Sequence, residues 1–165
     1  MEGKACAFTG HRRIASGHTR LLCELLDRAI EYAYAEGCRT FLSGGAIGFD
    51  TLAARRVISF RQRHSDARLL LMLPCENQDE RWSDGQRDAY EFLLKNADSV
   101  IYAAELYEDG CMKRRNEMLA ASADMMVAYV SRGGSGSAQT VRIAERLGIP
   151  VYNLYPAVVR ELEKQ

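Results

Sequence analysis

The sequence predicts an α/β fold, a three-layer sandwich in which a mostly parallel sheet lies between two layers of helix. Three observations predict it. Short apolar runs alternate along the chain with longer segments whose apolar residues recur at three- and four-residue steps. The run LLLML at 69–73 is apolar at every position, as expected of a strand covered on both faces. Glycine or proline punctuates most junctions, and strands that alternate with helices build a parallel sheet through right-handed crossovers.

The first strand is read at 5–8, followed by a helix over 19–36. Leu21, Leu22, Leu25, Leu26, Ala29, Ile30 and Ala33 form one apolar stripe on that helix, and Gly37 supplies its stop. A second strand at 40–42 runs into a glycine loop and a helix over 49–63 that carries Leu52, Ala53, Val57 and Phe60. The third strand, 69–73, ends at Pro74, and a polar loop over 76–82 leads to a helix over 84–95. A fourth strand at 99–102, a helix over 113–123 and a fifth strand at 125–130 follow. After RGGSGS come a helix over 138–147 stopped by Gly148, a last strand at 151–154 and a short C-terminal helix. This is the doubly wound, Rossmann-like class, in which ligands sit outside the carboxyl ends of the strands. The loops after strands one, two, four and five are therefore expected along one edge.

A single domain over 1–165 is expected, because 165 residues suffice for one core. Its 22 Lys and Arg match its 22 Asp and Glu, so no net positive field draws the chain to nucleic acid or to an anionic membrane. No run approaches the ~18 apolar residues of a membrane helix, and the N-terminal segment lacks a signal-peptide core. The expected location is cytoplasmic. The five cysteines are odd in number with no C-x-x-C pair, and His11, His18 and His64 lack metal-ligand spacing. Neither a disulfide framework nor a bound metal is expected.

Four loops carry the groups that recognise anionic oxygen: TGHRR at 9–13, SGGAIGFD at 43–50, CMKRRN at 111–116 and SRGGSGS at 131–137. In SRGGSGS, Gly133, Gly134 and Gly136 lie between a strand and a helix start, where free backbone N–H groups and the helix dipole suit a phosphate or, equally, a tight turn alone. Gly44, Gly45 and Gly48 follow the same plan after the second strand. Asp50 there either caps its helix or accepts from a ribose hydroxyl. Trp82 either stacks on a base or covers an edge of the core. Arg114 and Arg115, read at a helix start, face unfavourable dipole charge unless an anion lies nearby. Neither glycine loop ends in G-K-[ST] or matches G-x-G-x-x-G, and no nucleophile elbow is present in a strand-to-helix context.

Together TGHR, SGGAIGFD, LPCENQDERW, YEDGCMKRRNEM and GSAQTVRIA, in this order and nearly end to end, resemble the YpsA-like proteins of the SLOG superfamily, which also includes DprA and the LOG phosphoribohydrolases. The resemblance implies a Rossmann-like domain, usually a homodimer, that binds a nucleotide, ADP-ribose or an NAD-like ligand. The residues it implies for that pocket are Thr9, Gly10, His11, Arg12, Ser43, Gly44, Gly45, Gly48, Asp50, Gln78, Trp82, Arg114, Arg115 and Asn116, with Gly133, Gly134, Ser135, Gly136, Ser137 and Thr140. In the LOG motif a glutamate acts on the ribose, and Thr140 stands at that position here. A hydroxyl cannot stabilise an oxocarbenium-like charge as a carboxylate does, so LOG-type hydrolysis would need another acid. Asp50, Glu76 and Glu117 are the candidates. The expected function is nucleotide-derivative binding or sensing; the alternatives are a phosphoribohydrolase-like or other nucleotide hydrolase, and a DprA-like module for single-stranded DNA or another partner. The balanced charge disfavours DNA, since such binding rests on cationic contacts with phosphate.

Overall fold

Residues 3–131 and 135–165 are described by a computed structural model of the chain. The elements alternate from β1 (Lys4–Gly10) and α1 (Thr19–Ala35) through β2 (Cys38–Ser43), α2 (Phe49–Arg61), β3 (Arg68–Leu73), α3 (Asp84–Asn96) and β4 (Ser99–Tyr102). They continue with α4 (Cys111–Ser122), β5 (Met125–Tyr129), α5 (Gly136–Arg146), β6 (Val151–Asn153) and α6 (Tyr155–Glu163). The strands form one six-stranded sheet in the order β4-β3-β2-β1-β5-β6, and every neighbouring pair is parallel. From β1 the chain steps outward to β4, then crosses back to place β5 and β6 on the other side of β1. The direction of winding thus reverses between β1 and β5, where a crevice opens beyond the strand ends.

Alternation along the strands sorts the side chains between two faces. Cys6 and Phe8 of β1 join Phe41, Leu69, Leu71, Leu73, Val127 and Tyr129 in a core covered by α1, α2, α3 and α6. Ala5 and Ala7, one residue out of phase, face the opposite way with Leu42, Met72 and Met126, beneath Leu119 and Ala120 of α4 and Ala144 of α5. The larger core is aromatic as well as aliphatic: Phe8 stacks on Phe41 at 6.2 Å between ring centroids, and Phe49 stacks on Tyr129 at 5.8 Å. α3 begins with a capping box, in which Ser83 and Gln86 satisfy each other's backbone N–H groups.

Three boundaries differ from those read in the sequence, with consequences for the site; α5 begins at Gly136 rather than at 138, so Gly136 and Ser137 are its first residues. β1 extends to Gly10, so Thr9 and Gly10 are strand residues paired with Ala128 and Tyr129 rather than part of a loop. α4 starts at Cys111, because Gly110 turns the chain at φ 85° and lets it enter the helix two residues early. CMKRRN is therefore the beginning of a helix and not a loop. Arg114 and Arg115 lie in its second turn, past the free N–H groups of the first, so the dipole argument for an anion beside them does not apply. Among the described residues, no helix is long and apolar enough to cross a membrane.

Candidate functional site

A cavity of about 540 Å³ opens at the crevice between β1 and β5, within the size range of small-molecule sites. Four stretches line it: Thr9 to Arg13 from the end of β1, Ala46 and Asp50 after β2, Met112, Arg115, Asn116 and Leu119 from α4, and Ser135 to Ser137 at the start of α5. The α4 residues fall at helical spacing and so share one face. Loops far apart in sequence converge because all of them leave the same edge of a parallel sheet.

Asp50 and Arg115 form the buried part of this wall, 6% and 5% exposed. Asp50 is the second residue of α2, but its carboxylate does not cap the helix. It turns back to accept from the Ala46 N–H at 3.3 Å. Ser43 fixes the same loop: its hydroxyl donates to the Asp50 carbonyl at 3.0 Å and accepts from the Gly45 N–H at 3.2 Å. Arg115 donates from Nη1 to the Gly44 carbonyl at 2.5 Å and from Nε to Asn116 Oδ1 at 2.9 Å. Gly44 separates the two charges. A Cβ there would lie 2.6 Å from Arg115 Nη1 and 2.8 Å from Asp50 Oδ2, so a larger residue would push one or both of these side-chain ends out of place.

Burial pushes the Asp50 carboxyl up to about 6, against the opposing pull of Arg115, the Ala46 N–H and Arg12. Burial likewise lowers Arg115, with Asp50 pulling the other way. The folded chain therefore holds the Asp50 proton to a higher pH than the unfolded chain does. Between the ordinary carboxylate value and about 6 it binds more protons, so stability falls as pH rises through that window, by about 3 kcal/mol in all. Asp50→Asn removes this dependence. Urea unfolding should find the variant more stable than the native chain by about 3 kcal/mol at pH 8, with the gap closing toward pH 4; a constant gap would reject the assignment.

The end of β1 is held from several sides. His11 accepts the Ser131 N–H at Nε2 (2.8 Å), which puts its own ring proton on Nδ1, and its backbone N–H donates to Tyr129. Gly10 packs against the ring of Phe49, and Gly48 against the backbone carbonyl of Arg12. At the start of α5, Ser135 caps the helix by accepting from the Ala138 N–H at 3.1 Å, and Ser137 donates to the Gly10 carbonyl at 2.6 Å. The N–H groups of Gly136 and Ser137 have no partner among the described residues.

Not every residue singled out in the sequence reaches this cavity. Gly45 faces Leu73 and Gly48 faces Arg12, so protein atoms and not open space lie where their side chains would be. Thr140 is buried and returns its hydroxyl to the Gly136 carbonyl at 2.9 Å, a helix-internal bond. Arg114 points elsewhere, to Glu108 at 2.9 Å and the Ala103 carbonyl at 3.0 Å. Glu117 is exposed on a groove with Lys113, Gln139 and Arg146, and Glu76 is exposed without lining either of the cavities described. Asp50 is thus the carboxylate of the three that lines the crevice.

Gln78 and Trp82 line a second cavity, of about 450 Å³, together with Arg12, Asn77, Glu80, Arg81 and Tyr107. Trp82 also covers the core, its ring edge-on to Tyr90 at 5.2 Å. Gly133 and Gly134 lie outside the described residues. Arg13, Ala46, Met112 and Leu119 line the first cavity without having been singled out. Met112 and Leu119 become legible once the helix is started at Cys111, since they then share a face with Arg115.

The profile of the YspA SLOG family (YpsA) matches residues 10–144 of the chain. The SPbeta prophage-derived protein YoqJ of Bacillus subtilis (strain 168) is 27% identical over 158 residues, covering 87% of this chain and 92% of that protein. A UPF0398 protein of Bacillus cereus (strain G9842) is 26% identical over 171 residues, covering 97% and 93%. Among solved structures, DNA processing protein A from Helicobacter pylori, a protein with a single-stranded DNA binding mode, superposes with a TM-score of 0.66 at 19% identity. That match covers 91% of this chain and spans 64% of the Helicobacter chain, and at such identity it speaks for the fold.

Proposed function

The chain belongs to the YspA SLOG family, and from that premise we propose that its crevice between β1 and β5 binds a nucleotide or nucleotide derivative. One observation carries the proposal: the start of α5, where the N–H groups of Gly136 and Ser137 have no partner among the described residues, the guanidinium of Arg12 and a buried carboxylate, Asp50, all border the same cavity. The helix start and Arg12 suit a phosphate; Asp50 suits the hydroxyls of a ribose, which donate to a carboxylate. Asn116 adds an amide between the two. The reading takes the chain as a homodimer in a cytoplasmic setting, as the resemblance and the composition lead one to expect.

Asp50 also supports a second reading. A carboxyl held near 6 inside a cavity is poised for proton transfer near neutral pH, so a nucleotide hydrolase of this fold would use Asp50 as its acid or base. Calorimetry with AMP and adenosine tests both readings in one vessel. AMP should bind at least about tenfold more tightly than adenosine, a difference of about 1.4 kcal/mol from the phosphate. Chromatography of the contents afterwards should return AMP intact if the chain senses its ligand. Free adenine, released by the native chain and not by Asp50→Asn, would favour hydrolysis. No heat from either ligand with folded protein would reject nucleotide binding, and a single-stranded oligonucleotide that binds where AMP does not would favour DNA.

A further inference from the structure

The five cysteines lie far apart in sequence, and all are free thiols. Two of them meet in the fold, where the thiol of Cys75 lies against that of Cys111. Cys75 stands two residues past the end of β3, and Cys111 is the first residue of α4. Both are fully buried. Backbone bonds of 2.9 Å fix the chain on either side of Cys75, from the Ala104 N–H to the Pro74 carbonyl and from the Glu76 N–H to the Glu105 carbonyl. Cys111 is set by the turn at Gly110 and by its own N–H, which donates to the Glu108 carbonyl at 3.2 Å.

The other three cysteines are placed differently. Cys38 is the sheet partner of Lys4 and Cys6 that of Phe41, so these two thiols are offset along the strands by more than a disulfide spans. Cys23, on α1, has Arg56, Asp27 and Glu24 for its charged neighbours.

The Cys75–Cys111 contact adjoins the crevice. Cys111 and Arg115 are four residues apart and share a face of α4, while Met112, Arg115 and Asn116 line the cavity. Burial pushes the Cys75 thiol up most, and Cys111 adds to this; the Asn77 N–H and Arg115 pull it down. The chain that flanks the pair, 76–82 and 103–110, forms neither helix nor strand, and residues 105–110 are exposed. Such segments open locally at less cost than the core unfolds. Opening relieves the burial and leaves the pull of Arg115, so a thiolate becomes available to an oxidant as small as hydrogen peroxide.

We propose that Cys75 and Cys111 are a redox pair which a peroxide converts to an intramolecular disulfide, and, resting on the nucleotide reading of the crevice, that this disulfide weakens nucleotide binding. One sulfur attacks the peroxide, breaking its O–O bond to give a sulfenic acid and one water. The second sulfur then displaces the sulfenic oxygen as a second water. Two thiols lose two electrons and two protons, and the peroxide takes up both. A disulfide holds its sulfurs about 2 Å apart, nearer than two thiols in contact, so the first turn of α4 is drawn toward the end of β3. Arg115 and Asn116 move with it, away from their places in the cavity wall. A dithiol reductant reverses the change, as expected of a sensing rather than a structural disulfide.

The full chain, reduced and then treated with hydrogen peroxide, is assayed for thiols in denaturant, mapped by peptide mass, and titrated with AMP by calorimetry. The thiol count should fall from five to three, with the loss of two hydrogens in mass and one cross-linked peptide pair joining Cys75 to Cys111. The oxidised chain should bind AMP at least about fivefold more weakly than the reduced chain, and dithiothreitol should restore both thiols and affinity. Cys23→Ala, at a thiol outside the pair, should leave the whole response intact. Five thiols remaining, a gain of oxygen without a cross-link, or a link between other cysteines would overturn the redox pair. A Cys75–Cys111 link with unchanged AMP affinity would overturn its effect on the crevice. If the reduced chain itself binds no AMP, the nucleotide reading falls, and the link is still decided by mass alone.

Discussion

Arg115→Met should destabilise the fold by about 3–5 kcal/mol and abolish nucleotide binding. The guanidinium is 5% exposed, and two of its nitrogens are committed, one to the Gly44 carbonyl and one to Asn116. Its loss leaves a buried carbonyl without a donor and removes the charge that most offsets the burial of Asp50. The Asp50 carboxyl should then titrate above 6, because burial is no longer opposed by its strongest neighbour. A double-mutant cycle separates these contributions: in an Asp50→Asn background the same substitution should cost measurably less, since no buried carboxylate remains to be stranded. Urea unfolding gives each corner of the cycle. A loss under about 1 kcal/mol in the native background would show that Arg115 is an ordinary surface residue, contrary to its placement here.

Gly48→Ala should cost about 4 kcal/mol, combining a backbone conformation that L-residues rarely adopt with an overlap that the neighbour cannot relieve. Gly48 has φ 81° and ψ −125°, and a methyl group there would run into the Arg12 carbonyl. The obstacle is main chain, so rotation of a side chain does not clear it. The segment after β1 must shift, carrying Arg12 and His11 away from the cavity, and ligand affinity should fall along with stability. Gly85→Ala provides the contrast. Gly85 lies in the first turn of α3 with open space where its Cβ would be, so alanine there should be neutral or stabilising by up to about 1 kcal/mol. Similar losses in the two variants would mean that conformational freedom, and not the approach of Arg12, explains the glycine.

These two residues also show what the sequence could and could not say. The alternation of apolar runs with amphipathic segments was enough to place all six strands and the edge where their loops meet, because strand and helix periods are local properties of the chain. Which way a strand-end residue faces is not local. SGGAIGFD announces that close approach is needed but not by what, and the structure answers with the chain's own atoms: Arg115 and Asp50 at Gly44, Leu73 at Gly45, Arg12 at Gly48. Asp50 reads from sequence as a cap or a ribose ligand; its bond to Ala46 excludes the first without deciding the second. The same limit explains Arg114 and Arg115. Adjacent in sequence, they diverge by about 100° around α4, so one reaches Glu108 at the surface and the other enters the wall of the cavity. The apolar pattern does not reveal this, because the turn at Gly110 sets where α4 begins.

A phosphate resting at the start of α5 is the contact on which nucleotide binding in the crevice turns. A crystal structure of the chain grown with AMP tests this most directly. The phosphate is predicted within hydrogen-bond distance of the Gly136 and Ser137 N–H groups and of Arg12, with the ribose hydroxyls on Asp50. AMP bound elsewhere on the molecule, or a crevice without nucleotide in crystals grown at saturating AMP, would contradict it.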